Sequence, residues 1–238
     1  DLQFPHHENE IAQSEGLSGK TFANYWMHNG FITVNNEKMS KSAGNFFMVR
    51  DILKEYDGEV LRFFLLAAQY RGPVNFSREL MEQAKAGLDR MRNCKSNLQH
   101  LVNAASGAMT AEEGEKLAAL GAHKEHFIAF MDDDLNTADA ISAVFELVKD
   151  INTAVAGGCS KEFAEKALAL LTERAHVLGL LIQEPKLEIP ADVQALIEQR
   201  TAARKEKNWA ESDRIRDELA AKGYAVKDTP QGVQVTKL

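Results

Sequence analysis

The chain has 238 residues, of which 45% are hydrophobic and 26% charged, and it carries a net charge of −7 at pH 7. This is ordinary globular composition, with room for one large domain or a few small ones. The acidic balance excludes a protein that grips nucleic acid by net charge alone. Its two cysteines, Cys94 and Cys159, give neither a disulfide framework nor a Cys-x-x-Cys metal clip, as in a protein of the reducing cytoplasm. No apolar run reaches the ~20 residues of a membrane helix.

The sequence opens on Asp1-Leu2-Gln3-Phe4-Pro5-His6-His7-Glu8-Asn9-Glu10, with no initiator methionine and no signal peptide. Chemistry this dense at the first residue implies a fragment whose upstream region is missing. Pro5 suits the first turn of a helix, where its missing N–H costs little. His6 and Glu10 are then four apart on one face, with His7 and Glu8 pointing elsewhere. An imidazole and a carboxylate so placed can form half of a tetrahedral zinc site. A polar helix start whose acids favour the dipole accounts for the same residues.

The helix is expected to continue through residues 11–30, with Trp26 as packed core rather than a substrate stack. Phe31-Ile32-Thr33-Val34 reads as a short buried strand, and Asn35-Asn36 as a turn. Lys38-Met39-Ser40-Lys41-Ser42 follows, then Ala43-Gly44-Asn45. Lysine ammoniums suit phosphate oxygens, the serines add donors and Gly44 lets the backbone bend. A solvated basic loop is the plain alternative.

From Phe46 to about Ser77 the pattern is helical. Asp57-Gly58 opens a helix that turns Val60, Leu61, Phe64 and Leu65 inward, and Gly72-Pro73 ends it. Residues 78–183 read as all-helical. Their apolar stripes are Leu80, Ala84, Leu88, Met91 and Leu98; Ile141 through Val155; and Leu168, Leu171, Leu178 and Leu181. Asp132, Asp134 and Asn136 imitate a calcium loop, but Thr137 stands where glycine is needed and Ala143 where the bidentate glutamate belongs. The run reads instead as a helix end and a new start capped by Asn136 or Thr137.

Glu184-Pro185 to Ile189-Pro190 reads as a linker. Beyond it, a helix from Val193, a second helix capped by Asn208, Gly223 at its C′ position, and strands Tyr224–Lys227 and Val233–Thr236 make a helix–helix–hairpin module. Trp209, the largest apolar residue of the module, can fill its core. Its basic residues are interleaved with acids, as on a solvated, salt-bridged helix pair.

Three stretches carry a resemblance. The pentapeptide at 38–42 with Ala-Gly-Asn matches the signature loop of the class I aminoacyl-tRNA synthetases. Phe4–Glu10 ahead of it resembles the cysteinyl-tRNA synthetases, as does the Asp-Asp-Asp-x-Asn-Thr run at 132–137. The resemblance implies a mostly α chain. Residues 1–45 would end a Rossmann-like α/β catalytic domain, 46–77 form a stem-contact region, 78–183 a helical bundle, and 191–238 a small α+β anticodon-binding module. It implies ATP-dependent activation of cysteine and its transfer to tRNA(Cys), in a monomeric cytoplasmic enzyme of which this fragment alone is inactive. Lys38 and Lys41 would act on ATP, which is used with Mg2+. His6 and Glu10 would hold one zinc ion per subunit, with two cysteines upstream of Asp1; Cys94 and Cys159 do not match those positions. Arg200, Arg204, Trp209, Asp213 and Asp228 fall in the part that reads the anticodon. The family's last strand commonly carries a tryptophan, and Val235 stands near that place here. The alternatives are a cysteine ligase acting on an amino sugar, which needs no anticodon module, and a non-catalytic tRNA-binding fragment.

Overall fold

The computed structural model describes residues 2–40, 42, 44–182, 190–229 and 232–237. Lys41 and nearly all of the expected linker therefore lie outside the described residues. The chain divides into two compact units, Asp1–Leu88 with Ile128–Ile141, and Asp89–Phe127 with Ser142–Leu238. No helix among the described residues is long and apolar enough to cross a membrane.

In the first unit a π-helical turn, Gln3–His7, leads into α1, Glu8–Ser18. The helix stops well short of residue 30, because Gly19 adopts φ 64° and donates to the Glu15 carbonyl, closing a left-handed C-terminal cap. The residues that follow are irregular up to β1, Ile32–Val34, which turns through Asn35 and Asn36 into β2, Glu37–Lys38. Both turn residues have positive φ, 51° and 65°, as the tightest hairpins require, and asparagine tolerates this better than other non-glycine residues. β1 also pairs, in parallel, with β3, Val74–Phe76, giving the order β2-β1-β3.

The crossover between β1 and β3 carries α2, Val49–Ile52, and α3, Gly58–Leu66. Asp57 caps α3 by accepting from the Glu59 and Val60 amides. Val60, Phe63 and Phe64 are buried, whereas Leu65, expected inside, is 42% exposed. Where the crossover returns, Gly30 donates to the Tyr70 carbonyl at 2.7 Å. A Cβ on Gly30 would lie 2.0 Å from the Gly72 carbonyl oxygen, so only glycine fits.

Four long helices follow: α4, Arg78–Ala104; α5, Ala111–Asp132; α6, Thr137–Ala154; and α7, Lys161–Val177. Buried residues on α4 recur at Met81, Ala84, Leu88, Met91, Cys94, Leu98 and Leu101, steps of three and four that define one seam. Met81 occupies the seam, and Leu80 stands half-buried beside it. Asn136 caps α6 by accepting from the Asp139 amide at 3.2 Å, in keeping with the sequence reading. The terminal module comprises α8, Ala191–Lys205; α9, Trp209–Ala221; and the hairpin β4, Tyr224–Thr229, with β5, Gly232–Lys237. Val193, Ile197, Ile215, Leu219 and Tyr224 form its core, with Val226, Val233 and Val235 of the hairpin packed against them.

Candidate active site and RNA-facing module

The hairpin of β1 and β2 delivers the chain to the 38–45 loop. Lys38 pairs with Thr33 in the strand register and its side chain is exposed. Met39 and Ser40 are half-buried, and Gly44, at φ 68°, turns the chain back. The Asn45 side chain spans the loop. Its Oδ1 accepts from the Ser40 amide at 2.9 Å and its Nδ2 donates to the Lys38 carbonyl at 3.1 Å.

His6 lies in the π-helical turn and Glu10 in α1, so they do not share one regular α-helix; both are exposed. His7, expected to point elsewhere, joins an aromatic cluster. Its Nδ1 is 2.9 Å from His28 Nε2, its ring is stacked on His28, and it tilts against Trp26 at 5.1 Å between centroids. Trp26 is not core: it is 38% exposed, with its ring against His7, Phe22 and His28. Sequence alone offered no sign of this, because His7 is separated from its partners by the whole of α1 and those partners lie in an irregular stretch with no period.

A bound metal needs deprotonated donors. Cys94 lies on the α4 seam, where burial pushes its thiol up to about 12, and burial also raises Cys159. Among the described residues no group of three or more His, Cys, Asp or Glu is gathered as a ligand set. His6 and Glu10 are of the right donor types but are only half of a tetrahedral zinc site.

In the terminal module Arg200 is 3% exposed and makes a bidentate pair with Asp228, at 2.9 and 2.7 Å. These hydrogen bonds hold the Asp228 carboxyl below its ordinary range, against the opposing effect of partial burial. Arg204 lies 3.3 Å from the same carboxylate and stacks its guanidinium over the Trp209 ring at 5.3 Å. Trp209 is 55% exposed and outside the core cluster, so the aliphatic residues and Tyr224, not the indole, hold the hairpin. Asp213 pairs with Arg216 on the exposed side of α9. The structure thus brings Arg200, Arg204, Trp209 and Asp228 into one linked set. An open aromatic face, a stacked cation and a fixed carboxylate suit the recognition of unpaired bases.

Comparison with known proteins finds matches in three stretches of the chain. Residues 1–86 match a model of the tRNA synthetases class I (C) catalytic domain, 126–183 the DALR domain, and 187–235 the cysteinyl-tRNA ligase anticodon binding domain. A crystal structure of the ternary complex of Agrobacterium radiobacter K84 agnB2 LeuRS, tRNA and LeuAMS aligns with a TM-score of 0.58 at 18% identity. It covers 76% of this chain and 27% of that one, a likeness of fold alone. Fold and sequence together define a class I aminoacyl-tRNA synthetase chain. A cysteine–tRNA ligase of Symbiobacterium thermophilum is 54% identical over 236 residues, and one of Lachnospira eligens 53% identical over 235. The chain belongs to the cysteine–tRNA ligase family. It covers 50% of the length of each of these relatives.

Proposed function

We propose that this chain serves a cysteine–tRNA ligase, which activates cysteine with ATP and transfers it to tRNA(Cys). The observation that carries the reading is that signature loop and anticodon-type module lie within one stretch of 236 residues matched at 54% identity. The module also argues against an amino-sugar ligase, which has no anticodon to read. The division proposed is that of the sequence: catalytic end 1–45, stem contact 46–77, bundle 78–183 and anticodon module 191–238. The enzyme acts as a cytoplasmic monomer.

In the first step an oxygen of the cysteine carboxylate attacks the α-phosphorus of Mg2+-bound ATP in line, and the bond to pyrophosphate breaks. Negative charge grows on the phosphate oxygens, and Lys41, assisted by Lys38, neutralises it. A hydroxyl at the tRNA 3′ end then takes the cysteinyl group, releasing AMP. His6 and Glu10 supply half of a zinc site. Zinc bound there would favour a thiolate over an alcohol, rejecting serine at the binding step. In a ligase of the relatives' full length, His6→Ala should lower zinc content and raise the KM for cysteine about tenfold or more. Metal analysis beside kinetics tests this, and equal zinc in both proteins would remove His6 from the ligand set.

At the other end, Arg204 and Trp209 form a platform for one anticodon base. Asp213 and Asp228 are the acceptors for base amino groups, and buried Arg200 holds Asp228 in position. Trp209→Ala should leave adenylate formation intact and weaken aminoacylation up to about a hundredfold, the loss of one stacked base. Because the indole is exposed, the variant should fold normally. A folded variant that charges tRNA at the normal rate would exclude Trp209 from the RNA surface.

A further inference from the structure

We propose that two asparagines, Asn45 and Asn75, are positioning residues that fix the two ends of the β1–β2 hairpin from which the 38–45 loop springs, so that the Lys38 backbone is placed before any ligand arrives. The proposal rests on the reading that this loop serves adenylate formation. Asn45 uses both halves of its amide, Oδ1 toward the Ser40 N–H and Nδ2 toward the Lys38 carbonyl. The partners fix that orientation, since a flipped amide would set donor against donor and acceptor against acceptor. Lys38 is thereby held from two sides, by its strand register with Thr33 and by Asn45.

Asn75 acts at the other end of the hairpin and lies outside every motif. It sits on β3, and its Oδ1 accepts from the Asn36 amide at 2.7 Å and from Thr33 Oγ1 at 3.2 Å. The neighbouring Phe76 carbonyl accepts from the Asn35 amide at 3.1 Å. The left-handed turn, which asparagines adopt at some cost, is therefore anchored on a strand roughly forty residues away in the chain. Turn and loop exit are each fixed by one side-chain amide. The placement of the Lys38 backbone is thus met during folding rather than in the transition state, which shortens the search its ammonium must make.

The two residues differ in a way that can be tested. Asn75 contributes only an acceptor, so Asn75→Asp preserves it, whereas Asn75→Ala does not. Asn45 contributes a donor as well, so Asn45→Asp sets a carboxylate oxygen against the Lys38 carbonyl and fails as Asn45→Ala does. Hydrogen exchange on this chain should show the Ser40 amide exchanging about tenfold faster or more in both Asn45 variants. The Asn36 amide should behave likewise in Asn75→Ala and stay protected in Asn75→Asp. In the ligase at its relatives' full length, pyrophosphate exchange should lose about ten- to a hundredfold in kcat in the same three variants. The KM for cysteine should hold, and Asn75→Asp should restore the rate. Asn45→Asp matching the unmutated protein, or Asn75→Asp failing as badly as Asn75→Ala, would overturn the proposal. Unprotected Ser40 and Asn36 amides in the unmutated chain would overturn it whatever the activity. Absence of pyrophosphate exchange in the unmutated ligase would instead overturn the assigned reaction.

Discussion

Lys41→Ala, in the ligase at its relatives' full length, is expected to slow adenylate formation by about two to four decades, the range found when a stabiliser of developing phosphoryl charge is removed. Affinity for cysteine should change little, because the charge appears only in the transition state and binding energy realised there raises kcat rather than lowering KM. Lys38 cannot substitute fully. Its backbone is fixed by strand pairing and by Asn45, so it cannot migrate to a place three residues along. The measurement is cysteine-dependent pyrophosphate exchange. A normal exchange rate combined with weakened tRNA binding would move this lysine from the chemistry to the RNA surface.

The second large effect concerns stability of the terminal module and is asymmetric. Asp228→Ala leaves the Arg200 guanidinium, 3% exposed, without its counter-charge, and should cost about 3 kcal/mol. Arg200→Met should cost less. It removes the buried charge, fills much of the same volume and leaves Asp228, whose side chain is 33% exposed, with Arg204 at 3.3 Å. Hydrogen exchange of the α8 and β4 amides reads the loss locally, since a chain of two compact units need not unfold in one step. The carboxyl's folded pKa lies below its unfolded value, so the pair's contribution is complete above the unfolded value of about 3.9. It disappears as pH falls through the lower folded value. Equal losses in the two variants, or no acid sensitivity, would show that Arg200 is not held by Asp228.

The contrast between what the sequence revealed and what it hid follows the range of the interactions. Asp57, Asn136 and Asn208 cap helices through amides two or three residues ahead, and all three were legible. The seam of α4 was legible from its period, although its exact register was not, since neighbouring Leu80 and Met81 are equally apolar. Strand β3 was invisible. Three residues after Gly72-Pro73 have no period to detect, and its pairing with β1 spans more than forty positions. The same distance hid Asn75, whose side chain answers to Thr33 and Asn36. Local motifs drew attention to the 38–45 loop and to His6 and Glu10, whereas the ring cluster of His7, Trp26 and His28 depended on the fold. In the module, composition suggested basic residues on a wet surface. That describes Arg214, paired with Glu211 and Glu218, but not Arg200.

The contact between Gly30 and the Gly72 carbonyl bears on how this chain can vary over time. Most positions in a protein tolerate drift because a neighbour can shift to accommodate a new side chain. Here the obstacle is backbone, and the same segment supplies the Tyr70 carbonyl that satisfies the Gly30 amide. Making space would therefore cost a hydrogen bond and tilt β1, and with it the hairpin that presents Lys38. Position 30 is consequently closed to gradual change. Chemical diversity near this site has to enter through the loop or through the asparagines that frame it, while the strand spacing beneath them remains a fixed ruler.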